Sequence, residues 1–321
     1  MEDNMVSVIV PTKDCRKTIS SLLVSLHDQK YPHYEVIVVD SSTDGTDKIA
    51  SEYDSVKVIR SPPVGPNLAR NIGLKNAQGE IVSFIDGDCV AERDWIDLIV
   101  KEFDKDKSVG CVGGSVLIDG SAFLGEYMDN TLFTIYPKYS QGGVLTDKDF
   151  QDHPFGKMRV PVGCNMAFRR NVLEELGGFR IRWRCPYDEI ELFYRVLHQG
   201  YKININPKIL VHNIPRPSFP EMLRQVYLYG MGAGNFLRTY HLSLEKRAMG
   251  GAKGLFNTIL HSLRRYRNSR RSRTLLYPFV DILVGATYFV GLVKSYFGGY
   301  YPEIKNFDLD TALGLKEGHA F

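Results

Sequence analysis

Two aspartates lie one residue apart in the segment "SFIDGDCV", directly after a run of strand-forming residues. Side chains at positions i and i+2 of a strand point to the same side, so the carboxylates of Asp86 and Asp88 would repel each other unless a cation lay beside them. Hard divalent cations such as Mg²⁺ and Mn²⁺ prefer oxygen ligands of this kind. An isolated D-x-D is also common in a solvated turn, so the surrounding sequence has to decide between the two interpretations.

Further polar residues follow the neighbouring strand-like runs. Asp40 and Asp44 can accept hydrogen bonds from a base or from ribose hydroxyls, whereas Arg70 and the beginning of a helix near Asn67 suit an anion. Together with a paired-acid site for Mg²⁺ or Mn²⁺, these groups favour a nucleotide diphosphate held through a divalent cation. The sequence has no G-x-x-x-x-G-K-[ST] loop, and we interpret the glycines of "YGMGAGN" at 229–235 as a closely packed helix.

The elements that must position these groups alternate along the chain. Four short apolar runs are typical of strands buried on both faces: 6–10, 35–39, 56–59 and 80–85. Four helices are predicted between and after them, around 16–29, 45–53, 67–76 and 92–104. Such alternation indicates an α/β fold with a parallel sheet, in which ligands bind at the carboxyl ends of the strands. We therefore expect the polar loops to converge at one edge of the sheet.

The composition is that of an ordinary globular protein of 321 residues, with 44% hydrophobic and 24% charged residues. The formal net charge of +3 does not indicate a nucleic-acid partner. The five cysteines are scattered and lack C-x-x-C spacing, which argues against a zinc site or a disulfide framework and favours a reducing, cytoplasmic setting. The start "MEDNMVSVIVPT" is acidic with a very short apolar run and is not expected to be a signal peptide.

Five segments, in this order, resemble family 2 of the glycosyltransferases over about residues 5 to 240: "VSVIVPTKD", "VIVVDSSTDGT", "ARNIGLKNAQGEIVSFIDGD", "GCNMAFRRNVLEELGGF" and "YDEIELFYRVLHQGYKI". The resemblance implies an inverting enzyme with the GT-A fold, a Rossmann-like and mostly parallel sheet flanked by helices. It implies a nucleotide-diphosphate sugar as donor and Mg²⁺ or Mn²⁺ as cofactor. The loop "VDSSTDGT" is one residue shorter than the usual pattern of the family, which leaves open which family acid Asp40 matches.

The resemblance also implies roles for single residues of the donor site. The D-x-D motif of the family matches Asp86, which would contact the nucleotide, and Asp88, which would bind the metal. A histidine that reaches the metal or the diphosphate often stands at the end of a later strand in this family, and His212 in "NPKILVHNIPR" matches it. The donor-pocket positions of the family match Pro11, Thr12, Asp14, Asp40 and Arg70.

In the acceptor half, the E-D-x-D-L motif of the family appears as "DEIEL", with every acid exchanged for the other type. By position the general base is Glu189, next to Asp188, and Glu191 belongs to the acceptor side. An in-line displacement with inversion needs a base on the acceptor oxygen and no covalent nucleophile. The alternative for this stretch is an acidic helix N-terminus stabilised by the helix dipole. Arg195 is expected to pair with Glu191 at i+4.

Aromatic residues mark two further parts of the acceptor half. Trp183 lies near the predicted acceptor loop and could stack on a sugar ring, whereas Trp95 is expected to pack against the sheet. Residues 119–160 are rich in aromatics and glycine and match no regular element. A long irregular stretch within a compact domain is often a functional lid or an acceptor loop.

The C-terminal region combines basic and apolar segments. Nine Lys or Arg and no acid lie between Lys246 and Pro278, and residues 274–293 form a twenty-residue apolar segment with one charge, Asp281. An apolar stripe runs along this segment, with Asp281 on another side. Three interpretations stay open: interfacial attachment to a membrane, a single span, or a buried or oligomer-forming helix. The basic residues would favour an anionic cytoplasmic leaflet.

We therefore predict a GT-A catalytic domain at 1–215, with a nucleotide-sugar half at 1–105 and an acceptor half at 106–215, followed by a helical, membrane-associating region at 216–321. The predicted function is sugar transfer to a hydroxyl or phosphate acceptor, lipid-linked, at the cytoplasmic face of the cell membrane. A sugar-1-phosphate nucleotidyltransferase is the enzymatic alternative, but its glycine-rich opening is missing after the first strand. A non-catalytic nucleotide-sugar-binding membrane scaffold would not need the acids of "DEIEL".

Overall fold

The structure is a computed structural model that describes residues 4–63, 65–118, 123–130, 136–152, 160–181, 186–214, 218–245 and 272–298, with short pieces between 256 and 267. Its first four strands are parallel, as the sequence predicts. β1 (Val6–Thr12) lies between β2 (Tyr34–Asp40) and β4 (Ile81–Phe84), and β3 (Val56–Arg60) pairs with β2. All of these strands direct their carboxyl ends to the same edge of the sheet.

Strand β1 explains why both faces of this sheet are covered. Val8 and Val10 are buried in one half of the hydrophobic core, whereas Ile9 is buried in the other half. Successive side chains of a strand point to opposite faces, so a continuous apolar run needs helices on both sides. The helices that connect the first strands lie close to the predicted positions: α1 (Ile19–His27), α2 (Thr46–Ala50), α3 (Pro66–Asn76) and α4 (Trp95–Lys105).

Two of these helices show how local sequence positions the site. α3 begins with Pro66, whose fixed φ suits the first turn of a helix and whose missing N–H has no partner to lose there. Gly65 precedes it with a φ of 128°, which side chains rarely adopt. In α4, Trp95 is buried against the sheet and donates its indole N–H to Asn165 at 2.9 Å, which confirms the predicted packing of this tryptophan.

The second half of the sheet is mixed. Its strands are β5 (Cys89–Ala91), β6 (Val109–Ile118), β7 (Gly143–Leu145), β8 (Met166–Arg169) and β9 (Lys202–Asn213). β6 runs parallel to β9, but β8 is antiparallel to both β4 and β6, and β5 and β7 are antiparallel to β9. The strand order is β3-β2-β1-β4-β8-β6-β9-β5, with β7 paired to β9 outside this path. The parallel arrangement therefore describes the donor half better than the whole sheet.

Helices accompany these later strands. The stretch for which the sequence predicts no regular element contains α5 (Phe123–Asn130) and α6 (Asp147–Asp152) among its described residues. Then follow α7 (Arg170–Glu175) and α8 (Asp188–His198), the helix that begins with the acids of "DEIEL". α8 buries Leu192, Phe193 and Val196 in the half of the core that also contains Ile9, so it is fixed against the sheet.

Two long helices, α9 (Phe219–Thr239) and α10 (Tyr277–Gly298), pack against each other through glycines. A Cβ added to Gly230 would lie 2.0 Å from the carbonyl oxygen of Tyr288, and one added to Gly234 would lie 2.2 Å from that of Leu292. These distances are far below van der Waals contact, so only glycine permits this approach of two backbones. The predicted helix at 229–235 with close packing is confirmed.

The same two helices take part in the core of the sheet domain. Phe236 of α9 and Leu292 of α10 are buried in the cluster that contains Ile9 and Phe84. The predicted domain boundary after residue 215 stays a prediction, but residues before and after it are packed in the same hydrophobic core. Within the described residues, one helical stretch, Thr274–Gly298, is long and apolar enough to cross a membrane, with a mean hydropathy of 1.7.

Helix α10 has two different faces. Tyr277, Asp281 and Val284 are buried, and the Asp281 carboxylate accepts a hydrogen bond from the Tyr127 hydroxyl of α5 at 2.7 Å. The other face of α10, together with the 3-10 turn that precedes it (Ser272–Leu276), exposes an apolar stripe, defined as Leu275, Leu276, Phe279, Ile282, Leu283, Phe289 and Val290. The predicted separation of Asp281 from the apolar stripe is therefore present, and one side of the helix is packed against protein.

Candidate active site

A cavity of about 270 Å³ lies where the carboxyl ends of the first strands meet the beginning of α8. Residues of the predicted donor half contribute the start of α3, Arg70 and Asp86. The second half contributes both Asp188 and Glu189. The remaining walls come from four other parts of the chain: Tyr136, Val162–Cys164, the loop residues Ile181 and Pro186, and Gln225 and Tyr229 of α9. The sequence motifs of the two halves thus face one common space.

Arg70 is the buried cation that joins the two halves. Its Nη1 donates to Asp188 and its Nη2 lies 3.7 Å from Asp86, so one guanidinium bridges the D-x-D motif and the acids of α8. The ring of Phe179 lies under the guanidinium, with a centroid distance of 5.3 Å. A Cβ at Gly163 would lie 2.7 Å from Nη2, so the residue opposite the guanidinium has to be small. These contacts fix the orientation of Arg70.

Glu189 is a buried acid with an unusual proton affinity. Burial, the charge of Asp188 and a hydrogen bond with Asp188 raise the pKa of Glu189 to about 8, although the cation of Arg70 acts in the opposite direction. Asp188 is directly paired with Arg70 and Glu189 is not, so the two adjacent carboxyl groups differ in their environment. A carboxyl group with a raised pKa is a better proton acceptor in its ionised form than an ordinary surface carboxylate.

The D-x-D motif follows β4 as the sequence predicts. The Asp86 side chain is 39% exposed and faces the cavity, whereas Asp88 accepts a hydrogen bond from the Asn213 amide at 3.2 Å. The backbone carbonyl of Asp88 also accepts from the Ile214 N–H. A Cβ at Gly87 would lie 2.9 Å from both Cys15 Sγ and Thr12 Cγ2, so glycine is needed between the two acids.

The donor set of this motif fits Mg²⁺ or Mn²⁺. No group of three or more His, Cys, Asp and Glu side chains that could hold a metal is present among the residues that the structure describes. Mg²⁺ nevertheless binds through one or two carboxylates and completes its octahedron with substrate phosphates and water. Asp88, oriented by Asn213, and Asp86 supply such carboxylates.

Most of the predicted donor-pocket residues form a hydrogen-bonded loop cluster beside β1 and β2. Asp40 is fully buried and accepts from Thr12 and Ser42, and it also pairs with Arg60. Asp14 is exposed, has a positive φ of 55° and accepts from the Thr43 N–H. Asp40 therefore braces the loops in this structure, and Pro11, half-buried, directly precedes Thr12. The donor-binding roles of Pro11, Thr12, Asp14 and Asp40 stay predictions.

The remaining predicted site residues lie in different surroundings. His212 Nε2 is 3.0 Å from Glu92, and the side chain of the next strand residue, Asn213, is the one that contacts Asp88. Adjacent strand residues point to opposite faces, so this geometry turns His212 away from the face occupied by Asp88. Its role as a metal ligand stays a prediction. Trp183, predicted to stack on an acceptor sugar, lies outside the described residues.

Glu191 is buried inside a network of hydrogen bonds. Arg195 donates to both of its oxygens, which confirms the predicted i+4 pair, and the Tyr240 hydroxyl and Arg180 Nε also lie against it. The carboxylate of Glu191 thus fixes α8 to α9 and to the loop before α8. Its predicted acceptor role stays untested, and its contacts in this structure are to protein groups.

Several cavity residues and one supporting residue were not singled out from the sequence. Gln225 and Tyr229 come from α9, and Tyr136 comes from the aromatic-rich stretch before β7. Asn213 supports Asp88 from β9. The "YGMGAGN" stretch drew attention to its glycines alone, because sequence periodicity cannot reveal which face of a long helix meets a site. Asn213, next to His212, could have been found by considering the strand alternation there.

Comparison with known proteins identifies the class of protein. Residues 7–177 match the model of "Glycosyl transferase family 2". The chain therefore belongs to glycosyl transferase family 2, and it is a glycosyltransferase that transfers a sugar from a nucleotide sugar. Glycosyltransferase AglE of Haloferax volcanii is 28% identical over 235 residues, which cover 71% of this chain and 72% of that protein. Glucosyl-dolichyl phosphate glucuronosyltransferase of the same organism is 28% identical over 181 residues, which cover 54% of this chain and 55% of that protein.

Solved structures show the same fold. A mannosyltransferase from Pyrobaculum calidifontis, in complex with GDP-Man and Mn²⁺, superposes with a TM-score of 0.63 at 19% identity and covers 92% of this chain and 88% of its own. Residues 1–349 of TarS from S. aureus, in complex with UDP, superpose with a TM-score of 0.54 at 18% identity and cover 95% and 94%. The chain has the GT-A fold, as the resemblance in its sequence implies.

Proposed function

We propose that this protein is an inverting, metal-dependent glycosyltransferase that moves a sugar from a UDP- or GDP-linked donor to a hydroxyl or phosphate group of a lipid-linked acceptor. The observation that carries the proposal is the shared cavity of Asp86 and Glu189 on either side of the buried Arg70. A donor anchored at the D-x-D motif would present its anomeric carbon within the space that Glu189 also faces. In-line displacement requires such a placement of leaving group and base on one sugar.

The chemistry that these residues supply can be followed atom by atom. Glu189, in its carboxylate form, accepts the proton of an acceptor hydroxyl while the acceptor oxygen bonds to the anomeric carbon. The bond from that carbon to the diphosphate oxygen breaks, and its electron pair stays on the diphosphate. When bound, Mg²⁺ or Mn²⁺ would neutralise charge on that leaving group. Arg70 adds a fixed positive charge beside Asp86 and holds Asp188 in place.

The lipid-linked acceptor and the membrane location rest on the apolar stripe of α10. This stripe is exposed over several helical turns, while the opposite face of α10 is packed against protein. Such a helix suits attachment in the plane of a membrane interface better than a span surrounded by lipid. The name of the glucuronosyltransferase from Haloferax volcanii, which acts on a glucosyl-dolichyl phosphate, supports a lipid-linked acceptor. We assign the protein to the cytoplasmic face because of the basic residues between Lys246 and Arg273.

A donor screen tests the proposal. Thermal unfolding of the full chain is measured with UDP- and GDP-sugars, each with and without Mn²⁺ or Mg²⁺. At equal concentration a ligand that binds more tightly stabilises the folded state more, because the gain grows with the logarithm of ligand concentration over Kd, so one donor with metal should raise the unfolding temperature more than the others do. Asp88→Ala should abolish the metal-dependent part of this shift. The absence of a shift with every donor, or an unchanged metal response of Asp88→Ala, contradicts the proposal.

A further inference from the structure

Helix α9, which lies beyond the region matched by the family model, forms one wall of the active-site cavity. Gln225 and Tyr229 are four residues apart and therefore lie on the same face of α9, one turn from each other. Both line the cavity that contains Glu189. Tyr136 lines the same cavity from another part of the chain. Two phenol rings and one amide therefore line the cavity that the proposed base also lines.

The hydroxyl of Tyr229 is close to the charges of the site. Burial raises the pKa of Tyr229 well above its ordinary value, and the charges of Glu189 and Asp188 add to this effect, as does Tyr136. The phenol therefore stays neutral and keeps its proton. A neutral phenol can both donate and accept a hydrogen bond, and its ring offers a flat apolar surface.

The backbone fixes this wall relative to the base. A Cβ at Gly232 would lie 1.8 Å from the carbonyl oxygen of Pro186 and 2.9 Å from the Tyr187 side chain. Pro186 and Tyr187 directly precede Asp188 and Glu189, so α9 rests on the segment that begins α8. Both contacts of Gly232 are with rigid parts of the chain, the backbone carbonyl of Pro186 and the Cβ atom of Tyr187. The packing of these backbones therefore sets the position of Tyr229 relative to Glu189.

The proposed function leaves open whether the acceptor group is a hydroxyl or a phosphate. The chemistry of Tyr136, Gln225 and Tyr229 favours a saccharide hydroxyl. A saccharide has apolar C–H faces that pack on aromatic rings, and hydroxyl groups that both donate and accept hydrogen bonds. Tyr136 and Tyr229 supply rings, and the Gln225 amide supplies donors and an acceptor. An alcohol oxygen keeps its proton until it reacts and needs a base, whereas a phosphate is already ionised at neutral pH and needs none.

We infer that Tyr229, Gln225 and Tyr136 form an acceptor subsite that binds a saccharide ring and presents one of its hydroxyl groups to Glu189. The inference rests on the proposed function and specifies its acceptor: the reacting group is the hydroxyl of a sugar, and the lipid is attached to that sugar at some distance from the reaction. The bond formed is a glycosidic bond between two sugars.

The experiment compares two acceptor probes, using the full 321-residue chain and a radiolabelled donor taken from the donor screen. One probe is a set of hexyl glycosides of common hexoses, below their micellar concentration, and the other is a polyprenyl phosphate in detergent. Labelled hexyl disaccharide is the expected product. Transfer to polyprenyl phosphate alone, or to neither probe, overturns the inference.

Variants then test the residues. Tyr229→Phe removes one hydroxyl and should raise the acceptor KM roughly 3- to 10-fold, the effect of one lost neutral hydrogen bond, while the donor KM changes by less than about 2-fold. Gln225→Ala should act in the same direction. Tyr227→Phe is the matched control, because Tyr227 lies on α9 outside the cavity lining and contacts Lys294. Equal effects of Tyr227→Phe and Tyr229→Phe, or an unchanged acceptor KM in Tyr229→Phe, overturn the inference.

Failure here differs from failure of the proposed function. If no UDP- or GDP-sugar stabilises the protein, the proposed function itself is wrong. If a donor binds and its sugar reaches only a phosphate, the proposed function stands and the saccharide subsite alone is refuted.

Discussion

At the beginning of α8, two effects act on the carboxyl group of Glu189 in opposite directions. The helix N-terminus favours a negative charge, which is worth at most about 1 to 2 kcal/mol. Burial beside a second acid disfavours that charge, and the pKa of Glu189 is raised to about 8. Burial therefore outweighs the helix dipole. An acid placed only to stabilise a helix N-terminus would be exposed and ionised at neutral pH.

This raised pKa predicts how stability depends on pH. Between about pH 4.5 and pH 8 the folded state keeps a proton on Glu189 that the unfolded state has lost, so stability falls as pH rises through this window. Glu189→Gln removes the titration. We expect similar free energies of unfolding for variant and wild type near pH 5 and a more stable variant near pH 8, by a few kcal/mol at about 1.4 kcal/mol per pKa unit. Urea unfolding at the two pH values measures the difference.

The control for this measurement is the same substitution at an exposed position. Glu52 is exposed on the surface, so Glu52→Gln should leave the difference from wild type the same at both pH values. If the unfolding curves of Glu189→Gln and wild type keep a constant separation from pH 5 to pH 8, Glu189 does not hold its proton in the folded protein.

The same substitution separates binding from chemistry. Glu189→Gln keeps the size of the side chain but cannot accept a proton, so we expect transfer at saturating donor to fall by about 10² to 10⁴ while the donor-induced thermal shift is retained. Asp188→Asn instead weakens the partner of the buried Arg70 and should reduce protein stability as well as transfer. If Asp188→Asn abolishes transfer and Glu189→Gln does not, the base is Asp188.

Site residues that belong to a short sequence motif could be predicted from the sequence. Site residues that reach the cavity only through the packing of distant elements could not. Asp86, Asp88 and Glu189 lie in patterns that bring them to strand and helix ends; Asp86 and Glu189 line the cavity, and Asp88 is held by Asn213. Tyr229 reaches the site through the packing of a distant helix, which no local pattern encodes, whereas Asn213 could have been found from the strand alternation beside His212. The residue type of Asp40 predicts a polar contact, but in this structure its carboxylate contacts three protein groups, those of Thr12, Ser42 and Arg60.

At the scale of elements, the parallel strands could be predicted because β1, β2 and β4 are continuous apolar runs that are largely buried on both faces, and β3 follows the same strand-helix alternation. The short strands β5 and β7, each three residues long, are too brief to show a period. The antiparallel pairs of β5 and β7 with β9 were missed for that reason, and β8, four residues long and antiparallel to β4 and β6, is also too short to show a period. The helix α9 was anticipated, but its contact with the segment before α8 depends on Gly232 and on chain distant in sequence.

This contact gives a prediction for the element as a whole. Gly232→Ala would place a methyl group 1.8 Å from the Pro186 carbonyl oxygen, so α9 and the beginning of α8 must separate. We expect a loss of about 1 to 3 kcal/mol in stability, typical of overpacking, and a lower kcat, because the base moves relative to Tyr229. Gly298→Ala is the control, since a Cβ there meets nothing within 4 Å. Equal stability and activity in the two variants would show that α9 does not position the base.

At the scale of the whole molecule, the catalytic half and the C-terminal helices share one core. Leu292 of α10 and Phe236 of α9 are buried together with Ile9 and Phe84 of the sheet. The sequence predicts a separate C-terminal region at 216–321 because basic and apolar segments dominate its later part, but composition does not reveal packing. One side of helix α10 therefore packs against the protein core, and the other side carries the exposed apolar stripe.

The stripe gives a prediction about membrane attachment. Phe279 is 71% exposed and Phe289 is 48% exposed, so replacing both by serine removes apolar surface without opening the core. Burial of a phenylalanine side chain contributes about 1.5 to 3 kcal/mol, so even partial insertion of the two rings should make the double variant bind vesicles at least about ten-fold more weakly. Co-sedimentation of the full chain with vesicles that contain anionic lipids measures this affinity. The unfolding temperature should stay near that of the wild type.

Val24→Ser is the matched control, because Val24 is half-exposed on α1, away from the stripe. It should bind vesicles as the wild type does. If the double variant Phe279→Ser/Phe289→Ser also binds vesicles with unchanged affinity, the stripe does not contact lipid. In that case, a fall in molecular mass of the double variant in solution would instead assign the stripe to contact between two copies of the chain, because only such contact would be lost together with the two rings.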